Sequence, residues 1–130
     1  MNELPPMRPM RILLIEDHAD TLRLLTQYLE DLGHTVITAR NLAEAHKVWP
    51  DCNCEVLLSD VGLSDGSGWE FLETAQPRRP VYAIAMSGFG MNADNARSRE
   101  AGFRHHLLKP FKIAELEKLI LEAANTGPGQ

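Results

Sequence analysis

Five residues with side chains suited to binding a metal or a phosphoryl group come at the ends of apolar segments of the chain. These residues are Glu16, Asp17, Asp60, Ser87 and Lys109. Two carboxylates about 4 Å apart repel by roughly 4 kcal/mol at an effective dielectric constant near 20. If the three carboxylates meet, a cation or a shared proton must therefore compensate their charge. Mg²⁺ suits such a site because it takes one or two carboxylates and keeps several of its waters.

The same residue types are suited to phosphoryl chemistry. A carboxylate nucleophile such as Asp60 can form an aspartyl phosphate, while Lys109 pairs with one phosphoryl oxygen and Ser87 donates a hydrogen bond to another. Plainer interpretations exist for each residue. An acid before a helix stabilises the helix N-terminus, a serine beside glycine is typical of turns, and a single lysine is usually solvated. The decision depends on whether the fold brings these residues together.

Apolar periodicity predicts five strands, each followed by a helix. The predicted strands cover residues 11–15, 35–38, 55–60, 81–86 and 103–108. Because strand–helix alternation is typical of a parallel sheet with helices on both faces, the sequence predicts an α/β fold. Ligands of such sheets bind outside the carboxyl ends of the strands. The five residues named above are expected at this edge.

The helices are predicted from apolar stripes and end signals. The first carries a stripe of leucines: Leu22, Leu25, Leu29 and Leu32. The second begins at Asn41, with Glu44 in a capping-box position, and ends at Pro50. The third ends at Pro77 and the fourth at Gly102. The last places five apolar residues on one face: Ile113, Leu116, Leu119, Ile120 and Ala123.

Length and composition indicate one globular domain. The 130 residues are 44% hydrophobic with a net charge of -5. We predict a folded domain at 10–124, with a loose leader at 1–9 and a flexible tail at 125–130. The negative charge disfavours direct binding to nucleic acid, and no apolar run approaches the roughly 20 residues of a membrane span. Cys52 and Cys54 lack the second pair of a zinc site, so we predict reduced thiols and a cytoplasmic protein.

Four of the histidines have no predicted role. His18 is expected in a solvated loop, and His34, His46 and His105 at turn or surface positions. No pair of these histidines has a convincing metal-ligand arrangement.

Four stretches of the chain, taken in order, resemble the receiver domain of two-component response regulators. They are LLIEDH, LLSDVGLSDGSGWEFL, AIAMSGFG and HHLLKPF, and the resemblance covers about residues 10–124. It implies a single doubly wound (βα)5 domain with a flavodoxin-like, five-stranded parallel sheet of order 2-1-3-4-5. It also implies a signalling domain of a two-component system or phosphorelay, which catalyses only its own phosphorylation and dephosphorylation. The stretch DVGLSDGSG is similar to receivers attached to hybrid histidine kinases.

The resemblance implies a role for each site residue. Asp60 is the implied phosphoacceptor. The implied Mg²⁺ ligands are Glu16, Asp17, Asp60 and the main-chain carbonyl of Gly62. Ser87 and Lys109 fall on the hydroxyl and lysine positions of the family, and the Lys109–Pro110 peptide bond is implied to be cis.

His106 falls on the switch position of the family, which is usually Tyr or Phe. In the family this ring turns inward when the hydroxyl group at the position of Ser87 moves toward the phosphoryl group. The movement changes the surface formed by the fourth helix, the fifth strand and the fifth helix. The smaller, more polar ring of His106 predicts a partial switch. The implied partners are a sensor histidine kinase or a phosphotransfer protein and, through this surface, a downstream protein or a second copy of the chain.

Two further departures from the family are Ser64 in place of proline and Ser87 in place of threonine.

The residues of the site argue against three rival functions. A haloacid-dehalogenase-like phosphohydrolase needs a second aspartate two residues after Asp60, where this chain has Gly62. A flavodoxin-like cofactor carrier needs a hydroxyl-rich phosphate loop after the first strand, where this chain has acids. A degenerate, non-phosphorylated interaction module would lack part of the acceptor set, which is complete here.

Overall fold

Five parallel strands form the central sheet of the protein. The computed structural model describes residues 7–75, 80–88 and 92–126. The strands are β1 (Arg11–Ile15), β2 (Thr35–Ala39), β3 (Val56–Asp60), β6 (Tyr82–Ser87) and β7 (His105–Leu108); β4 (Gly62–Leu63) and β5 (Gly66–Ser67) make a separate antiparallel hairpin after β3. The sheet order is β2-β1-β3-β6-β7. This confirms the predicted order 2-1-3-4-5, because β6 and β7 are the predicted fourth and fifth strands.

Helices cover both faces of this sheet. They are α1 (Ala19–Asp31), α2 (Leu42–Cys52), α3 (Gly68–Ala75), α4 (Asn92–Ala101) and α5 (Ile113–Thr126). Successive strand residues point to opposite faces, and they divide between two apolar clusters. One cluster joins Leu14 and Ile84 to residues of α1 and α5, whereas the other joins Leu13 and Ala83 to residues of α2, α3 and α4. The predicted doubly wound α/β fold is therefore confirmed.

The predicted end of the second helix at Pro50 is wrong by two residues. Helix α2 continues through Pro50 to Cys52, and Asn53 follows with a left-handed φ of 51°. Proline removes one backbone donor, so near a helix end it breaks only one bond of the helix. The left-handed residue is what ends the helix. The predicted end of the third helix at Pro77 lies outside the described residues.

The predicted apolar face of the last helix is correct except at its first residue. Leu116, Ile120 and Ala123 are buried, and Leu119 packs partly buried against the same cluster. Ile113 is instead 46% exposed. It is the first residue of α5, one turn before the buried part of the helix begins, and so it lies at the end of the packed face.

Residues near both ends of the described chain contact the body of the domain. The Arg8 guanidinium donates hydrogen bonds to the carbonyl of Ala124 (3.0 Å) and to Glu55 (2.7 Å). Met7 packs against the apolar cluster of α1 and α5, and α5 extends to Thr126. Within the described residues, no helix has the length and apolar character needed to cross a membrane.

Candidate functional site

The strand registers bring the predicted site residues to one edge of the sheet. Ile15 of β1 lies beside Ser59 of β3, so the residues that follow, Glu16 and Asp60, are neighbours. Ser87 ends β6, which pairs with β3 on one side and with β7 on the other. The N–H of Lys109 donates to the carbonyl of Ser87 (2.7 Å). The carboxyl ends of four parallel strands therefore hold the candidate site.

Three carboxylates form an acidic cluster at this edge. One carboxylate oxygen from each of Glu16, Asp17 and Asp60 lies within 4.8 Å of the other two. Glu16 is fully buried, Asp60 is half-buried and Asp17 is exposed. Burial raises the pKa of Glu16; the hydrogen bonds from Lys109 and from the N–H of His18 oppose this effect, and the Asp60 charge adds to it. The cluster opens toward solvent at Asp17.

Lys109 joins two of these carboxylates. Its ammonium group donates to Glu16 Oε1 (2.5 Å) and to Asp60 Oδ2 (3.0 Å). Removal from water lowers the pKa of Lys109, but the bonds to Glu16 and Asp60 outweigh this, and the pKa is raised above its ordinary value. The peptide bond between Lys109 and Pro110 is cis, as predicted.

The donor set of this cluster fits a hard divalent cation. Three ionised carboxylates and one ammonium group leave a formal charge of -2, and carboxylate oxygens are ligands that Mg²⁺ prefers. Gly62 lies next to the cluster, because its N–H donates to Asp60 Oδ1 (3.2 Å). The predicted contribution of the Gly62 carbonyl to a metal site stays a prediction.

The loop that follows Asp60 is anchored by contacts that sequence reasoning missed. Asp65, in the turn of the β4–β5 hairpin, accepts hydrogen bonds from the N–H groups of Leu42 (2.7 Å) and Ala43 (3.0 Å) at the start of α2. These two hydrogen bonds lower the pKa of Asp65, and the bond from Leu42 has the larger effect. An Asp-Gly pair indicates a turn, but it does not reveal so distant a partner.

Gly68 shows a second missed constraint, which acts on strand β3. A Cβ atom at this position would stand 2.5 Å from the carbonyl oxygen of Asp60 and 2.6 Å from Ser59 Oγ. The backbone of Gly68 also donates to the carbonyl of Val61 (2.9 Å). The start of α3 therefore packs directly on the backbone of Asp60, and only glycine fits there without a shift.

Ser87 and His106 are in direct contact. Ser87 Oγ lies 2.7 Å from His106 Nε2, and Ser87 is buried while His106 is half-buried. The ring of His106 thus reaches inward to the hydroxyl group of Ser87. This pairing brings the two predicted switch residues together.

The side chain of one of the other histidines lies where the sequence interpretation did not expect it. His34 is 5% exposed, and its Nδ1 accepts a hydrogen bond from the N–H of Met10 (3.1 Å). His34 lies in the turn between α1 and β2, which agrees with one of the two predicted positions, but its side chain is not on the surface, because it folds back onto the start of the first strand. His18 is exposed as predicted, and it caps α1 by accepting from the N–H of Thr21 (3.4 Å).

Comparisons with known proteins give relatives of one kind. The family described as "Response regulator receiver domain" matches residues 12–121. The chain is 34% identical over 110 residues to the KDP operon transcriptional regulatory protein KdpE of Escherichia coli. This alignment covers 82% of this chain and 47% of KdpE. It is 32% identical over 126 residues to the virulence sensor protein BvgS of Bordetella pertussis. That alignment covers 91% of this chain and 10% of BvgS. The chain thus spans about half of one relative and a small part of the other.

A likeness of fold accompanies these matches. This chain matches a chain of a solved complex with a TM-score of 0.83. The complex is the co-crystal structure of the Saccharomyces cerevisiae histidine phosphotransfer signaling protein Ypd1 and the receiver domain of its downstream response regulator Ssk1. The sequence identity is 21%, and the match covers 92% of this chain and 92% of that chain. The family match spans most of the described fold and contains the whole acidic cluster. The chain therefore belongs to the family of response regulator receiver domains, which act in two-component signal transduction.

Proposed function

We propose that this receiver domain accepts a phosphoryl group on Asp60 in a Mg²⁺-dependent reaction. The observation that carries the proposal is the setting of the Asp60 carboxylate. One oxygen accepts from the Lys109 ammonium (3.0 Å) and the other from the N–H of Gly62 (3.2 Å). The carboxylate is thereby oriented at the open edge of the sheet, beside two further acids.

In the proposed reaction, a carboxylate oxygen of Asp60 forms a new P–O bond while the bond from phosphorus to the donor's leaving group breaks. The leaving group, an imidazole nitrogen or an acetate oxygen, departs with the electron pair. Lys109 is placed to pair with a phosphoryl oxygen, and Ser87 to donate a hydrogen bond to another. Mg²⁺, held by Glu16, Asp17, Asp60 and the Gly62 carbonyl, would offset the negative charge that develops on the phosphoryl oxygens.

The proposed phosphoryl donor is a sensor histidine kinase or a histidine phosphotransfer protein. BvgS is named a sensor protein and contains a stretch similar to this chain. The Ssk1 receiver is seen with the phosphotransfer protein Ypd1. For the output, we propose that a downstream protein or a second copy of this chain binds the surface formed by α4, β7 and α5.

The experiment is phosphorylation by acetyl phosphate with and without Mg²⁺, followed by intact mass spectrometry. The wild-type chain should gain one phosphoryl group with Mg²⁺ and none in EDTA, and Asp60→Asn should gain none. Asp20→Asn is the matched control, because Asp20 is an exposed acid that pairs with Arg23 (3.1 Å) outside the cluster. It should be phosphorylated like the wild type. Equal phosphorylation of Asp60→Asn would refute the assignment of the acceptor.

A further inference from the structure

A chain of hydrogen-bonded side chains connects Ser87 to two helices. Ser87 Oγ lies 2.7 Å from His106 Nε2, and His106 Nδ1 lies 2.8 Å from Ser98 Oγ on α4. The indole N–H of Trp69 on α3 donates to the same Ser98 oxygen (2.8 Å). Ser98 is 1% exposed, so its hydroxyl group depends on these protein partners. We call the four residues Trp69, Ser98, His106 and Ser87 the relay.

The donors of the relay can be assigned from its Trp69 end. An indole N–H only donates, so the Ser98 oxygen accepts from Trp69. In the part of the chain that the structure describes, the other partner of the Ser98 hydroxyl group is His106 Nδ1. A buried hydroxyl hydrogen without an acceptor costs free energy, and Ser98 therefore donates to Nδ1. In a neutral imidazole the proton then sits on Nε2, which donates to Ser87 Oγ.

This tautomer determines what Ser87 can do. Because Ser87 accepts from His106, its own hydroxyl hydrogen is not directed at the imidazole. It can be donated to a phosphoryl oxygen, which only accepts. With the opposite tautomer, His106 Nε2 would be an acceptor and would take the Ser87 hydrogen. The direction of the relay thus matches the role proposed for Ser87.

We propose that Ser98, oriented by Trp69, is a positioning residue that selects the tautomer of His106 and so makes Ser87 a hydrogen-bond donor to the phosphorylated Asp60. The inference rests on the proposed function, since it concerns the same phosphoryl group. Ser98 acts through His106 and does not itself contact that group.

The position of Ser98 depends on polar contacts between α3 and α4. Helix α4 has the sequence NADNARSREA, which contains no large apolar residue. The Arg97 guanidinium donates to both carboxylate oxygens of Glu73 (3.0 and 2.9 Å) and lies 5.1 Å above the Trp69 ring. These contacts hold the helix beside Trp69 without touching His106, and they offer a way to separate helix attachment from the relay.

The first measurement is the rate of phosphorylation of the full chain by acetyl phosphate with Mg²⁺. Ser98→Ala should slow phosphorylation by about threefold to tenfold, because it weakens the charge-assisted hydrogen bond from Ser87 to a phosphoryl oxygen without removing it. In a Ser87→Ala background, Ser98→Ala should have no further effect, because residues that act through one another are not additive. Arg97→Gln removes the ion pair to Glu73 and the contact of the guanidinium with the Trp69 ring but none of the hydrogen bonds of the relay, and it should keep the wild-type rate.

The second measurement is ¹⁵N NMR of the His106 ring, which identifies the nitrogen that carries the proton. The wild-type chain and Arg97→Gln should show the proton on Nε2, while Ser98→Ala and Trp69→Phe should show both tautomers. A structural role of Ser98 alone would leave the tautomer unchanged. If Ser98→Ala does not fold, the wild-type spectrum and Trp69→Phe decide the question.

The outcomes separate the inference from the function on which it rests. Absence of phosphorylation in the wild type, or its persistence in Asp60→Asn, contradicts the proposed function. Normal phosphorylation with the proton on Nδ1 of His106 overturns the inference alone. The inference is also overturned if Ser87→Ala has no effect on the rate, or if Ser98→Ala slows it equally with and without the Ser87 hydroxyl group.

Discussion

Asp17→Asn is expected to stabilise the metal-free protein. A carboxylate oxygen of Asp17 lies within 4.8 Å of one from Glu16 and one from Asp60. At 4.8 Å, two unit charges repel by roughly 0.9 kcal/mol in water and by roughly 3.5 kcal/mol at an effective dielectric constant near 20. Because Asp17 is exposed, the value for water applies. Its two carboxylate neighbours together therefore cost about 2 kcal/mol.

Two favourable interactions of the Asp17 charge reduce this gain. Asp17 precedes α1, whose N-terminus stabilises a negative charge by about 0.3–1 kcal/mol. The Asp17 carboxylate is also attracted by the Lys109 ammonium group, which is bonded to the other two carboxylates. The net stabilisation by Asp17→Asn should be about 1 kcal/mol. Mg²⁺ acts in the opposite direction, because a ligand present at ten times its Kd stabilises the folded state by about 1.4 kcal/mol. The variant should be the more stable protein in EDTA, and excess Mg²⁺ should remove or reverse this difference.

Urea unfolding, followed by the fluorescence of Trp49 and Trp69 in EDTA and in excess Mg²⁺, measures both effects. Asp20→Asn again serves as the control, because it removes an exposed acid of α1 that pairs with Arg23. It should leave the response to Mg²⁺ unchanged. The charge-repulsion argument would be refuted if Asp17→Asn had a lower free energy of unfolding than the wild type in EDTA. It would also be refuted if Mg²⁺ stabilised this variant as much as it stabilises the wild type.

Two further predictions concern the first residue of α3 and the contact between α5 and the sheet. Gly68→Ala should lower the free energy of unfolding by about 1–3 kcal/mol, because its Cβ would stand 2.5 Å from the Asp60 carbonyl oxygen; an unchanged urea midpoint would contradict this. Hydrogen bonds from Tyr82 and His105 lower the pKa of Glu122 below its ordinary value. This partly exposed group should therefore contribute less than about 1 kcal/mol of stability, present at neutral pH and lost as the pH falls through the lowered pKa. Glu122→Gln should flatten that part of the stability curve, and an unchanged acid limb would argue against the assignment.

Much of the fold could be predicted because its signals are local. The five strands and the helices between them are marked by apolar runs, stripes and caps, and parallel strands bring their carboxyl ends to one edge. Asp60 is the last residue of β3, and Glu16 and Lys109 directly follow β1 and β7, so their meeting depended only on strand order. That order is confirmed, and the bonds from Lys109 to both acids result from it.

The contacts that were missed join residues far apart in the chain. Asp65 bonds to the N–H groups of Leu42 and Ala43, which are 23 and 22 residues away. His34 bonds to the N–H of Met10 at a separation of 24 residues. Periodicity reports which face of an element is buried, but it carries no information about which polar atom meets which across two elements. The same limit explains why the contact of Ser98 with His106 was not foreseen.

The expectation of a partial switch came from the smaller size and greater polarity of the His106 ring, and it did not include the partners of the two ring nitrogens. A phenylalanine at this position would form no hydrogen bond through its ring, and a tyrosine has one hydroxyl group at its tip. An imidazole has two nitrogens, and those of His106 lie 2.7 Å from Ser87 Oγ and 2.8 Å from Ser98 Oγ. Movement of Ser87 toward a phosphoryl group must therefore either break its bond to His106 or draw the ring with it, and in the second case the ring pulls on Ser98 of α4. If Ser87 moves in this way, we expect the coupling between the acidic cluster and α4 to depend on the hydrogen bonds at both ends of the ring.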